Sequence, residues 1–218
     1  MSTAVRGTST RRRRAVTDEE KAQRRDEIMA AAKAVFARRG FHATTIADIA
    51  KQAGFAYGSI YWYFESKDSL FHALMAVQEE ALRSHVALAL AEVGENADQE
   101  ELFRTAVRVT FEFFEADRAT VKLLFRDAYA LGDRFEKHLG GIYERFIDEI
   151  EMFIVAAQDR GGVVAAPPRM VAFSLAALIG QLAHRRISTD DGLTADVLAD
   201  FVVSLALDGL RPRLRRHA

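Results

Sequence analysis

Proline limits what this chain can build more than any other residue. Only Pro167, Pro168 and Pro212 occur in 218 residues, so 166 residues pass before the first ring that would break a helix by removing an N–H donor. Over that interval apolar residues recur at steps of three and four, and no run of four to eight residues alternates like a half-buried strand. The spacing predicts an all-α chain of about nine helices. The first is expected over 21–39, where Ile28, Ala31, Ala32, Val35 and Phe36 make one stripe and Gly40 follows as a C-terminal cap. Thr45-x-x-Asp48 reads as a capping box opening a helix over 45–53, which Gly54 ends. A short helix is expected at about 56–64, and Ser66 caps a long one that stops near Gly94. Further helices are expected at about 98–116, 118–130, 133–159, 168–187 and 194–208.

The absence of cysteine removes disulfides and metal–thiolate chemistry. The longest apolar run, 171–183, is interrupted by Ser174 and Gln181 and is too short to span a bilayer. The N-terminal basic cluster is not followed by the apolar stretch of a secretory signal. A cytoplasmic location and no membrane partner are therefore expected. The net charge of −1 conceals an asymmetry. Residues 1–67 hold thirteen Lys/Arg against seven Asp/Glu, a local charge of +6, while residues 68–210 hold thirteen against twenty-four, a local charge of −11. The last eight residues add four arginines. A basic front on an acidic body points the front at a polyanion. Residues 1–20, polar and basic, are expected to be a disordered tail.

Within the basic front, FAYGSIYWYF (55–64) raises a geometric problem. Consecutive helical residues point about 100° apart, so Tyr61, Trp62 and Tyr63 cannot share one core. The order helix (45–53), Gly54 turn, helix (56–63) is that of a helix-turn-helix, whose second helix enters the DNA major groove. Ile60 and Phe64, four apart, suit the inside, leaving Tyr61 and Trp62 outside. A tyrosine hydroxyl can donate to a phosphate, and ring carbon can meet a thymine methyl. Gly58 and Ser59 are small enough for close approach, and Lys67 at the start of the next helix suits a phosphate. Thr44, Thr45, Ala56, Tyr57, Gly58, Ser59, Tyr61, Trp62 and Lys67 are thus the candidate DNA-binding residues. Arg11, Arg12, Arg13 and Arg14 either join them or remain in solvent. For Trp62 and Tyr61 the competing assignment is partial burial against the following helix.

The segment GFHATTIADIAKQAGFAYGSIYWYFESKDSLFHAL (40–74) resembles the DNA-binding domain of the TetR family of bacterial repressors. The shared features are Gly-Phe closing the first helix, Thr-Thr-Ile-x-x-Ile-Ala, the Ala-Gly turn, Gly-Ser-Ile-Tyr-x-Tyr-Phe and Ser-Lys-x-x-Leu. The likeness covers roughly residues 25–75. It departs at Phe55-Ala56-Tyr57, where the family commonly carries Val-Ser and a basic or small polar residue, so the resemblance implies DNA binding but not which operator sequence is read. The resemblance implies a head at 21–67, a ligand-binding and dimerisation body at 68–210, and a basic C-terminal tail at 211–218. It also implies a homodimer on a palindromic double-stranded DNA operator, paired through the last two long helices, and an effector cavity in the body. Met170, Phe173, Ser174, Ala177, Leu178, Gln181, Phe201, Val202 and Leu205 are the interface candidates, with intrachain core as the alternative for each. Phe103, Arg108, Phe111, Phe114, Phe125, Arg126, Tyr129, Phe146, Gln181 and His184 are the candidates for holding a hydrophobic or amphipathic small molecule. For the phenylalanines the alternative is core, and for the arginines a surface pair with Glu112 or Asp127.

A catalytic reading finds little footing. There is no Gly-rich phosphate loop, no Ser/His/Asp signature and no His-Glu-x-x-His zinc spacing, so no cofactor or metal is expected. The alternative to a regulator is a helical lipid- or small-molecule-binding protein, or an enzyme, without DNA binding. The charged, motif-bearing front separates these, because only a regulator needs it.

Overall fold

The computed structural model describes residues 17–94, 97–126, 139–161, 166–189 and 192–210. Among them are nine helices and no strand. They are α1 (Asp18–Arg39), α2 (Ile46–Ala53), α3 (Tyr57–Ile60), α4 (Lys67–Val93), α5 (Gln99–Ala116), α6 (Arg118–Arg126), α7 (Gly141–Asp159), α8 (Pro168–Ser188) and α9 (Ala195–Leu210). No helix among the described residues is long and apolar enough to cross a membrane.

The helix expected at 133–159 is described from Gly141, the boundaries expected at 130 and 133 lie outside the described residues, and two other elements differ from expectation. Helix α1 starts at Asp18 rather than 21, because Thr17 and Glu20 form a capping box. The Thr17 hydroxyl accepts from the Glu20 amide at 3.2 Å, and the Glu20 carboxylate accepts from the Thr17 amide at 3.0 Å. Asp18, Glu19 and Glu20 also complement the positive end of the helix. The expected tail therefore ends by residue 16, and residues 1–16 lie outside the described residues. Helix α3 has only four residues, not the nine of 56–64. Ala56 offers no side-chain acceptor for the free amides, and the Trp62 and Tyr63 amides bond back only three residues, to Ser59 and Ile60.

The head core gathers Ile28, Val35 and Phe36 of α1, Phe41, Ile49 of α2, Ile60, and Leu70, Phe71 and Leu74 of α4. Its centre is a ring cluster: Phe71 meets Phe36 at 5.5 Å and Phe41 at 4.9 Å, both edge-on. Each of these fully buried phenylalanines contributes on the order of 2–3 kcal/mol of apolar burial. Leu123 of α6 and Leu139, both buried, join the same cluster, so the body closes the base of the head. The body has its own core, in which Phe103, Val107 and Phe111 of α5 and Ile154 of α7 pack with Leu175 and Ile179 of α8 and Val202 and Val203 of α9.

Candidate nucleic-acid interface

The turn between α1 and α2 is tied down from within. Gly40 closes α1 at φ 84°, a region that favours glycine. The Thr44 hydroxyl, 1% exposed, donates to the Gly40 carbonyl at 2.6 Å. Thr45 then caps α2: its hydroxyl accepts from the Asp48 amide at 3.2 Å, and Asp48 accepts from the Thr45 amide at 3.0 Å and from its hydroxyl at 2.7 Å. Arg39 pairs with Asp48 at 2.5 Å. The Thr45 hydroxyl and amide, and then Arg39, hold the Asp48 carboxyl below its ordinary range.

Gly54 ends α2 in the left-handed region, φ 72° and ψ 22°. The chain reverses and presents α3. Ile60 is fully buried, Phe64 nearly so, and Tyr63 packs against the head core. Tyr57, Tyr61 and Trp62 stay outside at 55%, 44% and 83% exposure. This resolves the crowded aromatics as two out and one in. The Tyr57 and Tyr61 hydroxyls share a hydrogen bond of 2.9 Å, and their rings meet edge-on at 5.4 Å. That bond from Tyr57 pushes the Tyr61 hydroxyl above its ordinary pKa. Ala56 is exposed and Ser59 half-buried. A methyl group added at Gly58 would meet nothing within 4 Å. The protein's own packing therefore does not require glycine there.

Two sequence candidates turn out to serve the turn itself. Lys67, at the start of α4, sends its ammonium back to the Phe41 carbonyl at 2.7 Å, the Thr44 carbonyl at 2.8 Å and the His42 carbonyl at 3.4 Å. It also lies 4.4 Å from the centre of the Phe41 ring. An ammonium has three donors, and this geometry directs them at the chain rather than at a phosphate. Thr44 is likewise internal. Conversely, the sequence reading did not single out Lys21 and Arg25, which share a surface hollow of about 360 Å³ with Asp18, Ala22, Trp62 and Tyr63. The one signal for them was a basic pair early in the first helix. Arg11, Arg12, Arg13 and Arg14 lie outside the described residues.

Among the described residues, the effector candidates are spread over several places. Phe103, Phe111 and Phe114 are buried in the body core, and Phe103 stacks on Phe153 at 5.1 Å. Phenylalanines at helical spacing fill the seams between helices, which leaves them touching neighbours rather than a void. Arg108 pairs with Glu112 at 2.7 Å and approaches Asp196 at 3.8 Å. Phe146 packs half-buried beside Ile147, Ala172 and Ala176. Gln181 is exposed and His184 half-buried. The side chains of Phe125 and Arg126, and all of Tyr129, lie outside the described residues. An open groove of about 420 Å³ on α7 is lined by Asp148, Glu151, Met152, Val155, Ala156 and Asp159, none of which is an effector candidate.

The interface candidates divide by face. Met170, Phe173, Phe201 and Leu205 are 51–66% exposed, and Ser174 is exposed beside them, whereas Ala177 and Leu178 are half-buried. Val202 is fully buried in the body core, so it belongs to the chain's own packing. Residues 197, 201 and 205 keep a four-residue step that carries Val197, Phe201 and Leu205 along one outer stripe of α9.

Residues 28–74, which carry the turn, α2 and α3, match the model of the bacterial regulatory proteins of the tetR family. The chain is 29% identical over 188 residues to the HTH-type transcriptional activator FasR of Mycolicibacterium smegmatis, covering 86% of this chain and 83% of that protein. It is 27% identical over 197 residues to the HTH-type transcriptional repressor KstR2 of Rhodococcus jostii, covering 87% and 92%. Its fold superposes on the crystal structure of the transcriptional regulator FadR from Bacillus subtilis, in complex with stearoyl-CoA, with a TM-score of 0.68 at 20% identity, over 85% of this chain and 99% of that one. A head built on the matched motif, carried by a helical body of the same fold, makes this chain a TetR-like DNA-binding transcriptional regulator.

Proposed function

We propose that the chain works as a homodimeric repressor, in the cytoplasm and without catalytic activity of its own. In this reading, two heads occupy the half-sites of a palindromic operator, and a hydrophobic or amphipathic small molecule bound in the body releases them. The observation that carries the reading is the surface of α3. Three large aromatics stand in solvent on a head whose turn, caps and core are already satisfied internally. Exposure of that kind has no folding rationale and suits contact with DNA. The pairing rests on the outer stripes of α8 and α9, where Phe173 and Phe201 are about half exposed. A twofold dimer matches the symmetry of a palindrome. The FadR complex with stearoyl-CoA supports an acyl chain with a polar end as the effector class.

The test is fluorescence anisotropy with a labelled duplex selected by the protein from a random library, titrated across a salt series. Affinity that falls steeply with log salt is expected, with a half-site repeat in the selected sequence. In the same titration Phe201→Glu should sediment as a monomer and bind at least tenfold more weakly. Salt-independent binding, or a monomeric variant that binds as tightly as the dimer, refutes the proposal.

A further inference from the structure

Residues 56–62, Ala-Tyr-Gly-Ser-Ile-Tyr-Trp, contain no arginine, lysine, asparagine or glutamine. These are the side chains that read guanine or adenine with two parallel hydrogen bonds in the major groove. What α3 and the turn after it present instead is three hydroxyls, of Tyr57, Ser59 and Tyr61, the Trp62 indole N–H and a large area of ring carbon. The hydroxyls of Tyr57 and Tyr61 are bonded to each other at 2.9 Å, with the rings edge-on at 5.4 Å. One of the two O–H donors is therefore consumed inside the pair. Each donor that remains is single, and a single donor discriminates weakly between bases, because every base pair offers some acceptor in the major groove. The apolar feature of that groove is the thymine C5-methyl, and ring edges complement it. Gly58, open to solvent with nothing within 4 Å of an added methyl, leaves the room for a base edge to come close.

Resting on the reading of α3 as the DNA-contacting helix, we propose that the Tyr57–Tyr61 pair acts as one rigid reader of thymine methyl groups, so that each operator half-site is specified under α3 by A·T pairs through their methyls. Tyr57 contributes its ring and fixes the ring of Tyr61. The clasp lowers the conformational entropy lost when the two rings meet DNA. Phosphate contacts then come from the flanking elements and carry no sequence information.

The experiment uses the full chain and the duplex it selects from a random library. Every thymine in one half-site is replaced in turn by deoxyuridine, which removes the methyl and keeps all hydrogen-bonding groups. The expected result is one or more positions at which the replacement weakens binding by about 3- to 10-fold, the scale of one buried methyl group. In Tyr57→Ala, folded as judged by circular dichroism, that penalty should shrink to less than twofold. In Tyr57→Phe, which keeps the ring, it should persist. A selected half-site whose deoxyuridine variants all bind equally overturns the inference while leaving a sequence-specific regulator standing. A penalty undiminished in Tyr57→Ala also overturns it. Selection that enriches no sequence at all removes the regulator reading together with this one.

Discussion

Gly58 and Lys67 show how residues of one motif divide between building the surface and meeting DNA. Lys67 is committed to the chain, with its ammonium gathered over the Phe41, His42 and Thr44 carbonyls. Gly58 has the opposite profile, with ordinary backbone angles and empty space around it. Alanine is favoured over glycine in a helix by about 0.5–1 kcal/mol, so Gly58→Ala should leave the melting temperature unchanged or slightly higher. Its operator affinity should nevertheless fall several-fold, because the added methyl occupies the approach to the base edges. Wild-type affinity together with raised stability would show that DNA does not come close at this position. The sequence made the inward role of Ile60 and the outward role of Trp62 legible, since consecutive positions on a helix cannot face the same way. It left Lys67 misassigned. Its place at the head of a helix was readable, but a four-carbon stem can reach a carbonyl cluster 23 to 26 positions back as easily as a phosphate.

At the scale of elements, the caps were the most readable feature and the ends of short helices the least. Thr45-x-x-Asp48 and Ser66 cap α2 and α4 as their spacing indicated, because a capping box is a local device written in four residues. The equivalent box at Thr17 and Glu20 was obscured by the polar, basic run before it. Helix α3 falls short of its pattern because the Trp62 and Tyr63 amides bond three residues back rather than four, and only the Phe64 amide returns to a four-residue step, to Ile60. The cap of α2 also carries a pH signature. The folded pKa of Asp48 is depressed, first by the Thr45 hydroxyl. Its contribution to stability is therefore present at pH values above the ordinary carboxylate range and is lost as pH falls through the depressed value. Trp62 is the single tryptophan and sits in the same motif, so its emission reports on this part of the head. Between pH 5 and 8 the emission should be flat. Below the carboxylate range it should change in the wild type, and the part of that change due to the cap should vanish in Asp48→Asn. An identical acid limb in the variant would place the titrating group elsewhere.

Over the whole molecule, the question is how a head and a body with separate cores behave as one unit. Among the described residues, helix α4 runs from one into the other, and three further sets of contacts support the joint. Leu123 and Leu139 close the base of the head core. Arg145 of α7 pairs with Glu79 of α4. The third is a polar chain running across α1, α6 and α4: Lys33 pairs with Asp117, Asp117 accepts from the Thr120 hydroxyl at 2.8 Å and from its amide at 3.2 Å, and the same hydroxyl oxygen lies 3.1 Å from the side-chain amide of Gln78. Burial pushes the Asp117 carboxyl up, but the bonds from Lys33 and Thr120 outweigh it and hold the group below its ordinary range. None of this chain was legible in the sequence, where Asp117 marked only a helix break. Its partners lie 84 residues before it and, through Thr120, 42 residues before that hydroxyl, and no local pattern encodes such separations. Asp117→Ala would strip the Lys33 ammonium of its partner and leave the first turn of α6 uncapped, at a combined cost of about 1–3 kcal/mol. That loss falls on the joint rather than on either core. In the wild type, urea unfolding followed by Trp62 emission, which reports the head, should coincide with unfolding followed by far-ultraviolet circular dichroism, which weights the larger body. In Asp117→Ala the head transition should move to lower urea and separate from the body's. Coincident curves in the variant would mean that the apolar seal at Leu123 and Leu139 suffices to couple the two. The polar chain would then be ruled out as the link by which an event in the body reaches α1.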